Sequence, residues 1–206
     1  MNNKVNIAVL VSGGGTNLQA LINAQKSGII TSGEIKLVVS SNKNAYALKR
    51  AENAGIKTAV CDRKGFSQKE FEENILNALE KEEIEVIVLA GFMSILSADF
   101  VKRYPERIIN VHPSLIPSFC GEGFYGLRVH KAALDYGVKV TGATVHFVNE
   151  IPDGGRIIMQ KAVDIEENDT PEILQKRVME NAEWIILPAA AEKVCKEIKE
   201  RKNERI

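Results

Sequence analysis

A chain of 206 residues can bury one sizeable core, and 27 basic against 27 acidic side chains leave no net charge. No charge block suits a polyanion, so nucleic acid binding is disfavoured. No apolar run approaches the roughly 20 residues of a membrane span, so no membrane partner is expected. Cys61, Cys120 and Cys195 lie far apart, which fits a reducing cytoplasm better than a disulfide framework, and they lack the close Cys/His spacing of a zinc site. Met1 to Lys4 passes straight into a strand pattern, so no signal peptide is expected.

Lys4 to Val11 reads as a strand, followed by the glycine loop Ser12-Gly13-Gly14-Gly15-Thr16-Asn17. The next helix carries Leu18, Leu21 and Ile22 on one face and closes near Gly28. Ile35 to Ser40 is the second strand, Asn42 to Ala54 a helix ended by Gly55, and Thr58 to Cys61 a short third strand. Ser67 with Glu70 forms a capping box, and Phe71, Ile75 and Leu79 mark the buried stripe of that helix. Ile84 to Ala90 is a fourth strand, Ser97 to Arg103 a short helix, and Arg107 to His112 a fifth strand stopped by Pro113. After a glycine- and aromatic-containing loop, Ser118 to Leu127, a helix covers Val129 to Tyr136. Val138 to Val148 and Arg156 to Val163 read as a hairpin around the turn Asp153-Gly154-Gly155. Thr170 caps a last helix with Pro171 at its first position; it carries Leu174, Val178 and Trp184 to Ile186, kinks at Pro188 and frays from Glu192.

Apolar strands alternating with helices imply an α/β fold: a doubly wound, mostly parallel sheet with helices on both faces and an antiparallel edge. Ligands of such sheets bind beyond the carboxyl ends of the strands. The glycine loop, Gly91-Phe92-Met93 and Asn110-Val111-His112 all follow strands, so all three belong to one edge. Asn110 and His112 are two apart on a strand and share a face. An amide donor beside a group that titrates near neutrality suits chemistry that forms an oxyanion and moves a proton; a polar strand end that caps its loop is the plainer alternative.

The glycine loop offers backbone N–H groups and a helix start to an anion, with Thr16 and Asn17 as added donors. The dinucleotide fingerprint fails, because Leu18 replaces its third glycine and Ser40-Ser41-Asn42 offers no acid. A Walker A loop fails for want of a lysine. A lone phosphate remains, or a tight turn without ligand. Asp153 sits in a turn common for backbone reasons alone, but a carboxylate near His112 would fix its tautomer and raise its pKa. His146 reads as a satisfied, half-buried histidine, His130 as a surface residue, and Glu183 as a solvated helix acid. Phe92 to Leu96 reads as core, or as the flank of a flat ring.

Together these pieces resemble the folate-dependent formyltransferases over nearly the whole chain. The motif Asn110-Val111-His112-Pro113-Ser114-Leu115 with a downstream Asp153 is typical of the group. The glycine loop narrows the resemblance to the members that act on glycinamide ribonucleotide in purine synthesis. The resemblance implies transfer of the formyl group of 10-formyltetrahydrofolate, a co-substrate, to the glycinamide amine, without a metal. It implies Asn110, His112 and Asp153 as catalytic residues. Gly15, Thr16, Asn17 and Glu183 would bind the ribonucleotide, and Gln68, Met93, Ser94, Ile95, Leu96 and Asn110 the folate. Ser94 stands where many relatives have arginine.

One domain, 1–206, would hold a ribonucleotide phosphate-binding half, 1–100, and a catalytic and folate-binding half, 101–206. A cytoplasmic monomer or homodimer is expected. A formyltetrahydrofolate hydrolase would carry an extra N-terminal domain, and a methionyl-tRNA formyltransferase an RNA-binding domain; neither is expected in 206 residues. A non-enzymatic nucleotide-binding module would need the loop but not Asn110, His112 and Asp153.

Overall fold

A computed structural model describes residues 4–204. Seven strands form one sheet in the order β3-β2-β1-β4-β5-β6-β7. The strands are β1 (Val5–Val11), β2 (Gly33–Ser40), β3 (Lys57–Val60), β4 (Val86–Leu89), β5 (Ile108–His112), β6 (Val140–Phe147) and β7 (Ile157–Asp164). The first five pair in parallel, while β6 pairs antiparallel with both β5 and β7. This is the doubly wound sheet with an antiparallel edge that the apolar strand pattern implies.

The helices are α1 (Thr16–Ser27), α2 (Tyr46–Asn53), α3 (Gln68–Lys81), α4 (Ala98–Arg103), α5 (Leu127–Tyr136), α6 (Pro171–Val178) and α7 (Trp184–Asn203). Alternate residues of each strand divide the core between the two faces of the sheet. Val5, Ile7, Val9 and Val11 pack with Leu18, Leu21, Ile186 and Leu187 on one side. Ala8 and Leu10 pack with Phe71, Ile75 and Phe100 on the other. The Ser67–Glu70 capping box is present in full at the start of α3.

Two boundaries differ from the sequence expectation by more than two residues. Helix α2 starts at Tyr46 rather than Asn42, because the Asn42 carboxamide accepts the Asn44 N–H at 2.9 Å and bends the chain into a turn first. The charged end does not fray: α7 runs to Asn203, with Ala190, Ala191, Val194, Cys195 and Ile198 buried at helical spacing. Glu192 ties the same helix to the chain before β2, accepting from both the backbone and hydroxyl groups of Thr31 and Ser32 at 2.8–2.9 Å. The helix continues through Pro188; the irregular turn lies upstream, a π turn at Met179–Glu183.

Among the described residues no helix is long and apolar enough to cross a membrane. Nor is any group of three or more His, Cys, Asp or Glu side chains arranged to hold a metal ion.

Candidate active site

The sheet changes winding direction between β1 and β4, where doubly wound folds open a crevice at the strands' carboxyl ends. The loops there are stitched together. Ser12 donates its N–H to the Gly91 carbonyl at 3.2 Å, and its hydroxyl accepts from Met93 N–H at 2.9 Å and contacts Ser41 Oγ at 2.7 Å. The convergence of loops expected from the strand pattern is therefore present.

Beside this crevice, antiparallel pairing places Asn110 opposite His146 and His112 opposite Thr144. Paired residues of adjacent strands share a face, so all four side chains point the same way. The Asp153 carboxylate lies between the two imidazoles, Oδ2 at 3.4 Å from His112 Nδ1 and Oδ1 at 3.6 Å from His146 Nε2. Asp153 itself sits at φ 55°, a left-handed conformation that Asp tolerates better than most residues. Its Oδ2 also accepts the Gly121 N–H at 2.9 Å. Gly155, two residues on, passes so close to β6 that a Cβ there would lie 1.7 Å from the Phe147 carbonyl oxygen.

The tautomers follow from the partners. A carbonyl can only accept, so His112 Nε2–H donates to the Phe119 carbonyl at 2.9 Å, leaving Nδ1 toward Asp153. By the same reasoning His146 Nδ1–H donates to the Phe147 carbonyl at 2.8 Å, and its Nε2 lies 3.3 Å from the Asn110 amide nitrogen. His112 is buried. Burial lowers its pKa, Asp153 and the Phe119 carbonyl push it back up, and burial wins, so the group lies below its ordinary value. The expectation of a raised pKa is thus overturned: the carboxylate acts in the expected direction but not strongly enough. Burial also pushes the Asp153 carboxyl up, but contacts with His146, the Gly121 N–H and His112 outweigh it and hold the group below its ordinary value. Both groups thus lie below their ordinary values, His112 because of burial and Asp153 because of its contacts.

Two further readings need correction. His146 is fully buried and belongs to the cluster, and His130 is buried in α5 rather than on the surface. Both ring nitrogens of His130 lack partners among the described residues, and burial lowers its pKa to about 4, helped by His112. Alternation along β6 showed which face His146 occupies but not which strand it would meet, so its membership depended on the register.

Gly15 takes φ 73° at the start of α1, and a Cβ there would stand 2.6 Å from Ala47 Cβ. Its glycine identity is required by α2 as well as by the turn. Asn17 donates to the Glu183 carboxylate at 2.6 Å across 166 residues. Glu183 is buried in the π turn, not solvated, and burial raises its pKa. Such turns recur at functional sites.

Met93 and Ile95 expose large apolar side chains at the end of β4, while Leu96 is buried and Ser94 partly so. Together they form an apolar shelf at this end of the strand. Its backbone is held from α3: Gln68 Nε2 donates to the Ile95 carbonyl at 3.0 Å and to the Glu72 carboxylate at 2.6 Å. The buried Glu72 also accepts the Ser97 N–H at 2.6 Å and the Ser97 hydroxyl at 2.5 Å.

The formyl transferase family model matches residues 5–190. The chain belongs to the formyl transferase family. It is 43% identical over 183 residues to the phosphoribosylglycinamide formyltransferase of Haemophilus influenzae, covering 88% of this chain and 83% of that one. It is 49% identical over 194 residues to the chicken (Gallus gallus) trifunctional purine biosynthetic protein adenosine-3, covering 94% of this chain but only 19% of the larger protein. Among solved structures of this formyl transferase family, glycinamide ribonucleotide transformylase 1 from Symbiobacterium toebii superposes with a TM-score of 0.88 at 36% identity, covering 96% of this chain and 90% of that one. The Brucella melitensis phosphoribosylglycinamide formyltransferase gives 0.84 at 41% identity, covering 93% and 96%. The family and fold expected from the motif are those found.

Proposed function

We propose that this formyl transferase moves the formyl group of 10-formyltetrahydrofolate to the amine of glycinamide ribonucleotide. The observation that carries the reading is the Asn110, His112 and Asp153 cluster at the sheet edge that also holds the glycine loop. The similarity to phosphoribosylglycinamide formyltransferases over most of their length supports the substrates.

The folate carries the formyl group as donor. The shelf of Met93, Ser94, Ile95 and Leu96 would hold its ring, with Gln68 at the border, and Asn110 would face its formyl oxygen. Gly15, Thr16 and Asn17 would hold the phosphate, and Glu183 would face the ribonucleotide from the π turn. Addition of an amine to a formyl carbon places negative charge on oxygen and leaves a proton to remove. The Asn110 amide would stabilise that charge as a preorganised donor. Neutral His112 would take up the amine proton at Nδ1, where Asp153 stabilises the imidazolium as it forms; the Phe119 carbonyl keeps the other nitrogen a donor, and collapse of the adduct would break the bond from the formyl carbon to the folate nitrogen, which takes a proton and leaves as tetrahydrofolate.

Residues 1–100 would contribute the phosphate loop and the shelf, and residues 101–206 the proton-transfer cluster, within one domain. We propose a cytoplasmic monomer or homodimer that needs no metal or nucleic acid. The deciding assay measures tetrahydrofolate release with and without glycinamide ribonucleotide. Strictly ribonucleotide-dependent release supports the reading; equal release in water alone would make the chain a hydrolase.

A further inference from the structure

A loop that binds an anion must do more than expose N–H groups. Each peptide carbonyl facing the same space is a negative dipole end and cancels part of the attraction. The glycine loop meets this requirement through its neighbours. The Gly13 carbonyl accepts the Ala47 N–H at 3.1 Å, the Gly15 carbonyl accepts the Gln19 N–H at 2.9 Å, and the Gly14 carbonyl accepts Arg50 Nε–H at 2.8 Å. The amides of Gly13, Gly14 and Gly15 donate to no partner among the described residues. All three carbonyls are therefore occupied, while the donors remain available.

Two of those three anchors are backbone amides at helix starts, which any residue but proline provides. The third is a side chain. Arg50 reaches from α2 across 36 residues, with Nη1 held by Gln19 Oε1 at 3.1 Å and its guanidinium 5.1 Å from the centre of the Tyr46 ring. These partners are neutral, and Arg50 makes no ion pair among the described residues. Its charge therefore stands unpaired behind the loop, and its forked, planar head suits a fixed position.

We propose that Arg50 is a positioning residue of the phosphate loop: it turns the Gly14 carbonyl away from the anion and adds positive potential behind it. The proposal deepens the ribonucleotide reading and rests on it for the identity of the phosphate. Lysine would keep the charge but lack the fork, so it would restore only part of the effect.

The test uses the full chain and two readouts. Titration with inorganic phosphate, followed by the amide resonances of Gly13 to Asn17, needs no turnover. The wild type should shift saturably, Arg50→Met should bind at least tenfold more weakly, and Arg50→Lys should fall between. In steady-state kinetics Arg50→Met should raise the ribonucleotide KM by a similar factor, while kcat and the formyl-donor KM change less than about twofold. Unshifted wild-type amides, unchanged phosphate binding in Arg50→Met, or equal rises in both KM values would overturn the proposal. A fully wild-type Arg50→Lys would overturn the positioning role in favour of charge alone. Phosphate binding of the expected pattern without ribonucleotide turnover would uphold Arg50 and refute the proposed reaction instead.

Discussion

At the scale of single residues, the proposed chemistry turns on His112 and Asp153. Asp153→Asn keeps shape and hydrogen bonding but removes the charge, and should lower kcat by roughly 10²–10⁴-fold, the range for losing an acid–base group. His112→Ala should be comparably slow and the double variant little worse than either, because groups acting as a unit are not additive. Steady-state kinetics with circular dichroism as a fold check decide this; multiplicative losses in a folded double variant would separate the two. The pH profile has a definite sign. If neutral His112 is the working form, kcat/KM falls as pH drops through its pKa, below the ordinary value of about 6.5. Asp153→Asn removes a group that favours the charged form, so the remaining acid limb should move to still lower pH. Gly15 can be tested separately. Gly15→Val would strain a left-handed backbone and press on Ala47, so α2 must shift away from the loop. The ribonucleotide KM should rise and the formyl-donor KM should not; parallel rises would count against the phosphate loop.

At the scale of elements, the apolar shelf after β4 depends on α3 for its shape. Glu72 joins Gln68 to Ser97, and Ser97 also caps α4 by accepting the Phe100 N–H at 3.2 Å. Glu72→Ala would leave the Ser97 N–H and hydroxyl without their acceptor in a partly buried place, a cost of about 1–3 kcal/mol. Hydrogen exchange at 94–97 should therefore accelerate in that variant, and the formyl-donor KM should rise while the ribonucleotide KM stays near wild type. In the wild type, a 5-deazafolate analogue should slow exchange across 92–96. If exchange there ignores both the analogue and the loss of Glu72, the folate site lies elsewhere.

At the scale of the whole molecule, buried histidines make stability depend on pH. His130 is 1% exposed and titrates at about 4 when folded, against about 6.5 when unfolded. Between those values the unfolded chain binds the extra proton, so stability rises with pH and is lost on acidification. The single group accounts for about 3 kcal/mol across that window. Thermal melts of the wild type should lose stability steadily from pH 6.5 to 4, and His130→Leu should flatten the slope. An unchanged slope in a folded variant would show that His130 is not the group responsible.

Part of this was legible in consecutive residues. Apolar runs alternating with helical stripes determined the parallel, doubly wound sheet, because burial on both faces leaves no polar alternation. The Ser67–Glu70 box, the glycine loop and the common face of Asn110 and His112 are also local patterns, set by turn chemistry and strand period. The remainder depended on groups far apart in the chain. Asp153 stands between His112 and His146 only because β6 pairs with β5 in one particular register. Glu183 meets Asn17 across 166 residues, Arg50 meets Gly14 across 36, and neither partner carries a local mark of the other. His130 occupies an ordinary helical position, and only the packing around α5 shows that it is buried. Periodicity states which face a residue takes; register and packing decide what it meets there and how much water remains, and so decide its pKa.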